Sequence, residues 1–323
     1  MAKSNFSEKI INEIFSHSFT SQEERFSYLS AIGKVNGAVE YKNNRMNFNI
    51  YVPNMATAIN VINTLKVDYS TEFELLCPKT KTNKGSGTKD YCVSVPAAIT
   101  MIVMQDLELL KIKNGTPISF VNTVPEIAIK DQRNATAYLI GLYVACGNCF
   151  VPSLETDDIK KDGYHFEYSV SSEDHADSII QLLSMFGIPA KKSERSQNFL
   201  IYLKDKDEIL SMLGILGVVE CVASLKTIIN ERLTANIINR NSICEAANLD
   251  KTFEAASKHL LAIGIIEETI GLESLSKELY DTAQARITYP RASLSELADI
   301  LGVSKSCLNH RLRKIVELSE EGN

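Results

Sequence analysis

The chain has 323 residues, and at roughly 100–200 residues per domain it divides into two domains or three small ones. Acidic residues outnumber basic ones by 40 to 34, so the net charge of −6 excludes a protein that coats nucleic acid along its whole length; any basic site is local. With 45% apolar and 23% charged residues the composition excludes disorder as the main state.

The N-terminus, carrying Glu8, Lys9 and Glu13, has no apolar core of a secretory signal. No apolar stretch approaches the ~18 residues of a membrane-spanning helix. A cytoplasmic location without membrane attachment is expected. The cysteines number seven, an odd count scattered from Cys77 to Cys307, and read as reduced thiols.

Residues 1–20 form an N-terminal helix or arm. Two helical nonapeptides then organise the body: Leu29-Ser30-Ala31-Ile32-Gly33-Lys34-Val35-Asn36-Gly37 and Leu139-Ile140-Gly141-Leu142-Tyr143-Val144-Ala145-Cys146-Gly147. Each closes on a glycine, a natural helix stop. After the first come Ala38 to Tyr41, a polar turn over 42–45, and an alternating run from Met46 to Val52, a β-hairpin signal. Pro53 opens a helix to about Lys66, with Met55, Ile59, Ile62 and Leu65 on one face. Strands near Phe73–Cys77 and Tyr91–Val95 and a helix from Ala97 to about Leu110 complete the unit.

The second nonapeptide is followed by the same order. Strands are expected at Asn148–Pro152 and Tyr164–Val170, a helix at Ser172–Phe186, strands at Ile188–Lys191 and Phe199–Leu203, and a helix from Asp205 to about Leu216. An αββαββα pattern therefore occurs twice, over 21–113 and 126–221, with Asn114–Pro125 as a linker. From about Glu220 the pattern is helix only. A linker helix over 222–240 leads into a domain at 241–323, with helices near Val222–Asn239, Asp250–Ile263, Ser274–Ile287, Leu294–Leu301 and Lys305–Ser319; Tyr289-Pro290 separates the third from the fourth. The fold class is α+β: a duplicated body followed by an all-α domain.

Leu294 to Arg313 fits a helix-turn-helix. Ala298 is small where the second helix crosses, Gly302 suits the sharp turn, Val303 plugs the angle and Ser304 caps the last helix. Leu308, Leu312 and Ile315 fall at i, i+4 and i+7 and face inward. Ser306, Asn309, His310 and Arg313 then face outward, with Lys305 at the start and Arg311 and Lys314 nearby. No acidic residue lies between Ile300 and Val316. Arg and Asn pair bidentately with guanine and adenine edges, and Lys neutralises phosphate. The candidate DNA-binding residues are therefore Ser304, Lys305, Ser306, Asn309, His310, Arg311, Arg313 and Lys314, on double-stranded DNA. Amphipathic helix pairs with basic ends also bind protein partners, and that alternative stays open.

The nonapeptides resemble the LAGLIDADG motif of homing endonucleases, in which two such helices pack side by side. Ala31, Gly33, Gly141 and Ala145 suit close helix approach. In those nucleases the residue before the final glycine is an acid that binds the divalent metal; here the positions are Asn36 and Cys146. Neither is the anionic oxygen ligand that magnesium needs, so no catalytic residue, metal or cofactor is expected. Lys79, Lys81, Lys84 and Lys89 around Gly85-Ser86-Gly87, with Lys191, Lys192 and Arg195 in the second repeat, mark loop positions where the rim of a DNA saddle would sit; solvated hairpin ends are the plainer account. Cys146-Gly147-Asn148-Cys149 has no second pair to complete a zinc site and straddles a helix end and a strand.

A two-repeat LAGLIDADG-like body with a C-terminal helix-turn-helix resembles the WhiA family of bacterial DNA-binding regulators. The likeness is carried by Phe26-Ser27-Tyr28-Leu29-Ser30-Ala31, Tyr138-Leu139-Ile140-Gly141, Cys244-Glu245-Ala246-Ala247-Asn248-Leu249-Asp250-Lys251-Thr252 and Val303 to Lys314. It implies a non-catalytic transcriptional regulator at promoters, tied to cell division, chromosome segregation and, in spore formers, sporulation, and associated with the nucleoid. It also implies that the helical domain supplies most DNA affinity, while the body binds DNA weakly or serves a protein partner such as a sigma factor or another transcription protein. The body here is lean in arginine, and Ser18-Phe19-Thr20-Ser21 replaces the family's cysteine-rich entry to the first motif. The competing expectations are a metal-dependent DNA endonuclease using other carboxylates, and an interaction scaffold for the transcription or division machinery.

Overall fold

The computed structural model describes residues 6–42, 45–77, 91–113, 116–152 and 163–321. They form two compact units, 1–231 and 232–323. In the first unit, α1 (Phe6–Ile14) precedes a repeat of α2 (Gln22–Asn36), β1 (Gly37–Lys42), β2 (Arg45–Val52), α3 (Met55–Asp68), β3 (Glu74–Leu76), β4 (Tyr91–Val95) and α4 (Ala97–Asp106). A hairpin of β5 (Leu110–Lys113) and β6 (Thr116–Phe120) and a short helix α5 (Glu126–Ile129) lead to the second repeat. That repeat contains α6 (Gln132–Cys146), β7 (Gly147–Phe150), β8 (His165–Val170), α7 (Glu173–Met185), β9 (Lys191–Arg195), β10 (Asn198–Leu203) and α8 (Lys206–Ile215). The expected αββαββα duplication is present, and the two antiparallel sheets share one topology, β1-β2-β4-β3 and β7-β8-β10-β9.

Local chemistry fixes the helix starts. Ser21 caps α2 by accepting from the Glu24 amide, Asp131 caps α6 by accepting from the Asn134 amide, and Asn54, rather than Pro53, begins α3 by accepting from the Thr57 amide. Helices α2 and α6 pack side by side through the middle of the core. There a Cβ on Gly141 would lie 2.2 Å from the Tyr28 carbonyl oxygen, so a side chain is excluded by backbone. Tyr28, Leu29, Ile32, Tyr138, Leu139, Leu142 and Tyr143 are buried around this seam, against Phe48, Ile50 and Val93 of one sheet and Phe166, Tyr168 and Ile201 of the other. Each such side chain contributes about 1.5–3 kcal/mol by leaving water. Helix α1 joins the second sheet: Ile10 and Ile14 are buried, and the Ser7 hydroxyl donates to Asn148 Oδ1 at 2.8 Å and accepts from the Cys149 amide at 2.7 Å.

Four expectations need correction. The segment 114–125 is not simply a linker, because Thr116–Phe120 pairs with Leu110–Lys113. Correspondingly α4 ends at Asp106, and Glu108 takes a left-handed φ of 50° that turns the chain into β5. The strand expected at Ile188–Lys191 begins only at Lys191, since Gly187 at φ 72° and Pro189 shape a bend first. Lastly, the helices expected over 222–239 and 250–263 are one 51-residue helix, α9 (Val219–Thr269). No glycine or proline occurs between Gly217 and Gly264 to break it.

In the second unit the later part of α9 packs with α10 (Lys277–Thr288), α11 (Leu294–Leu301) and α12 (Lys305–Glu321). Its core is Ala262, Ile263, Ile266, Leu272, Ala283, Leu297, Ala298, Leu308, Leu312 and Ile315.

Candidate nucleic-acid interface

Helices α11 and α12 are built for a fixed mutual angle. Ser293 and Glu296 form a reciprocal capping box at the start of α11, and the hydrogen bonds from Ser293 hold the Glu296 carboxyl below its usual range. Gly302 ends α11 in the left-handed region at φ 68°, and Val303, partly buried, packs on the core with its amide donating to the Ala298 carbonyl. The Ser304 hydroxyl accepts from the Cys307 amide at 3.2 Å, capping α12 as its position suggests.

Leu308, Leu312 and Ile315 are fully buried, so the opposite face of α12 is set by the helical period. Ser304, Lys305, Ser306, Asn309, His310, Arg313 and Lys314 are all exposed, and Cys307 is half-buried between the two faces. Arg311 differs from the other candidates. Its side chain is only 17% exposed and its Nη2 lies 3.5 Å from Glu278 Oε2 on α10. The structure thus gathers one exposed cationic and amide-bearing strip and turns Arg311 to its flank.

Sequence reasoning missed Arg286, which is 1% exposed. Its Nη1 donates to the Ala292 carbonyl at 2.7 Å and so pins the turn that delivers α11. Burial lowers its pKa, and burial first, then Arg286 and Lys258, lowers that of His259 to about 4. The signal was legible: Arg286 falls at i+7 from Leu279 and i+3 from Ala283, on the inward face of α10.

In the body, Asn36 is buried and its Nδ2 donates to the Ala145 carbonyl at 3.2 Å, across the α2–α6 seam. Cys146 Sγ donates to the Leu142 carbonyl at 3.4 Å. The motif's metal positions therefore carry an amide and a thiol engaged with backbone. Among the described residues no group of three or more His, Cys, Asp or Glu is placed to hold a metal ion. Strand alternation divides the three cations of β9. Lys191 pairs with Tyr202 and Arg195 with Asn198 on one face, whereas Lys192 lies opposite buried Ile201 and reaches Glu173 at 3.0 Å and Asp177 at 2.5 Å on α7. Lys192 is thus tied to carboxylates. Lys79, Lys81, Lys84 and Lys89 lie outside the described residues. No helix among the described residues is long and apolar enough to cross a membrane.

A LAGLIDADG-like pair of repeats followed by a capped helix-turn-helix with a basic outer face defines a DNA-binding protein of the helix-turn-helix class. Three family models match in succession: the WhiA N-terminal LAGLIDADG-like domain over 22–110, the WhiA LAGLIDADG-like domain over 135–234 and the WhiA C-terminal HTH domain over 238–319. The chain is 30% identical over 320 residues to the "Probable cell division protein WhiA" of Clostridium novyi, covering 98% of both chains. It is 29% identical over 318 residues to the protein of that name from Clostridium beijerinckii, again covering 98% of both. The crystal structure of full-length DUF199/WhiA from Thermatoga maritima matches with a TM-score of 0.55 at 22% identity, covering 99% of both chains, which shows the shared fold. The chain belongs to the WhiA family.

Proposed function

We propose that the protein is a non-catalytic, sequence-specific regulator that binds promoter DNA through its 241–323 domain and acts in cell division, with chromosome segregation and sporulation as further processes it serves. The observation that carries this reading is the exposed strip Lys305, Ser306, Asn309, His310, Arg313 and Lys314 on a helix whose other face is locked into a core. A rigid helix carrying bidentate donors along its exposed face suits the major groove. Asn309 and Arg313 read bases, Lys305 and Lys314 meet phosphates, Ser304 and Arg311 flank them, and Lys191 and Arg195 form a secondary contact. The relatives' shared name supports the link to cell division, and an association with the nucleoid follows from DNA binding.

Removing a side chain that hydrogen-bonds a base edge costs ~1–3 kcal/mol of binding free energy. Mobility shifts on genomic fragments enriched by the wild-type protein should therefore show at least a tenfold weakening for the double variant N309A/R313A; unchanged binding would refute the assignment. The amide and thiol at the old metal positions support the absence of cleavage. Supercoiled plasmid incubated with magnesium is expected to stay intact, and nicking that a chelator stops would overturn the non-enzymatic reading. The body is proposed to dock a sigma factor or another transcription protein, alongside the secondary contact at Lys191 and Arg195.

A further inference from the structure

The first unit contains a cavity that the DNA-binding reading leaves unused. It measures about 330 Å³ and lies at the C-terminal end of α2, walled by Lys34, Val39, Phe48, Met104, Leu109 and Phe120 among others. A second recess of about 510 Å³ shares Val39, Met104 and Phe120 and adds Tyr41, Met46 and Leu110. Tyr41 and Phe120 are exposed, so the pair opens outward between the β1–β2 and β5–β6 hairpins. Among the described residues that wall either recess, Lys34 is the one charged side chain.

Lys34 is a cation placed in an apolar setting. Its ammonium carries three donors, of which one meets the Thr123 carbonyl. Among the described residues no carboxylate lies within ion-pair distance of it. Glu108 acts on it from farther off and accepts the Ile127 amide at 3.2 Å. Burial lowers the Lys34 pKa to about 8, so the side chain is still mainly cationic at neutral pH. A lysine in the last turn of a helix answers the helix dipole, and the bond to Thr123 fastens the segment that follows β6. Those roles use one donor, and the Lys34 side chain also walls a cavity of ligand size.

We infer that these adjoining recesses bind an amphipathic monocarboxylate, its head on the Lys34 ammonium and its apolar body along Val39, Met104 and Phe120. A charge-assisted hydrogen bond in a low-dielectric wall supplies the selectivity for an anionic head, and the apolar lining supplies area for a short chain. This site is independent of the DNA-binding reading, since it uses none of the α12 residues.

The test is calorimetric titration of the full chain with octanoate and with octanamide, its neutral counterpart. Saturable one-to-one binding of octanoate is expected, at least tenfold tighter than octanamide. Lys34→Met should bring octanoate down to the affinity of octanamide. Val39→Phe, which fills the shared wall, should weaken both ligands and stands in if removal of the ammonium disturbs folding, as circular dichroism would reveal. Absence of saturable octanoate binding, equal affinity for the two ligands, or full binding by Val39→Phe would each overturn the inference.

Discussion

Replacing Gly141 by alanine sets a methyl carbon 2.2 Å from the Tyr28 carbonyl oxygen, 2.9 Å from its carbonyl carbon and 3.1 Å from Ala31 Cβ. The nearest atoms are backbone of the neighbouring helix, so relief requires α2 and α6 to part by about 1 Å in a close-packed core. Overpacking of this kind costs about 1–3 kcal/mol, and the upper end applies where no side chain can rotate away. Alanine returns about 1 kcal/mol through helix propensity. The net loss is ~2 kcal/mol, or about 4–8 °C in Tm for a unit of this size. Gly33 supplies the internal control. Its added Cβ would meet Leu109 Cδ1 and Phe48 Cζ at 3.2 Å, both side-chain termini able to shift, so the propensity gain nearly cancels the crowding. Scanning calorimetry of the full-length variants should show the first unit melting several degrees lower in G141A and within about 3 °C of wild type in G33A. A G141A protein as stable as wild type, or a G33A protein that loses more, would refute the account of the helix seam.

Gly302→Ala forces a left-handed φ on a side-chain-bearing residue and should cost ~1 kcal/mol in the second unit, read as a lower thermal midpoint with the α11–α12 turn retained. His175, hydrogen-bonded to the Tyr138 hydroxyl at 2.7 Å, has its pKa lowered to about 3, first by burial and then by Lys34. The unfolded chain takes up that proton more readily, so the contribution of neutral His175 is complete above about pH 6.5 and is lost as pH falls toward 3. Urea titrations across that window should show a shallower decline for His175→Gln. Asp68→Ala removes both bonds, 2.7 Å each, from a mostly covered Arg25 and should cost ~2 kcal/mol by the same titration. Arg311→Ala should weaken DNA binding less than Arg313→Ala, because Arg311 is occupied by Glu278.

The duplicated element order could be read because each repeat advertises its parts twice: a glycine-closed apolar helix, an alternating hairpin, a one-faced helix. The recognition strip was legible for a related reason, since three leucine and isoleucine positions fix the rotation of α12 and leave its polar residues one direction to face. What escaped detection depended on partners distant in the sequence. Leu109 and Leu110 continue the apolar rhythm of α4, and only the left-handed Glu108 and the pairing with Thr116–Phe120 reveal a strand. The gap expected between Asn239 and Asp250 is helical, because nothing in that run forbids helical backbone, and α9 continues through it. Lys192 shared a cluster with Lys191 and Arg195 in sequence, and the pleat separated them.

Asn36 places an uncharged amide where the two repeats meet. Its amide offers a hydrogen to the Ala145 carbonyl at the mouth of the helix pair, an exchange that an aspartate could not make, because oxygen would then confront oxygen. Restoring the acid at that one position would strain the junction before any cation arrived to neutralise it. At this position the tie between the repeats therefore depends on a donor, which a carboxylate cannot supply.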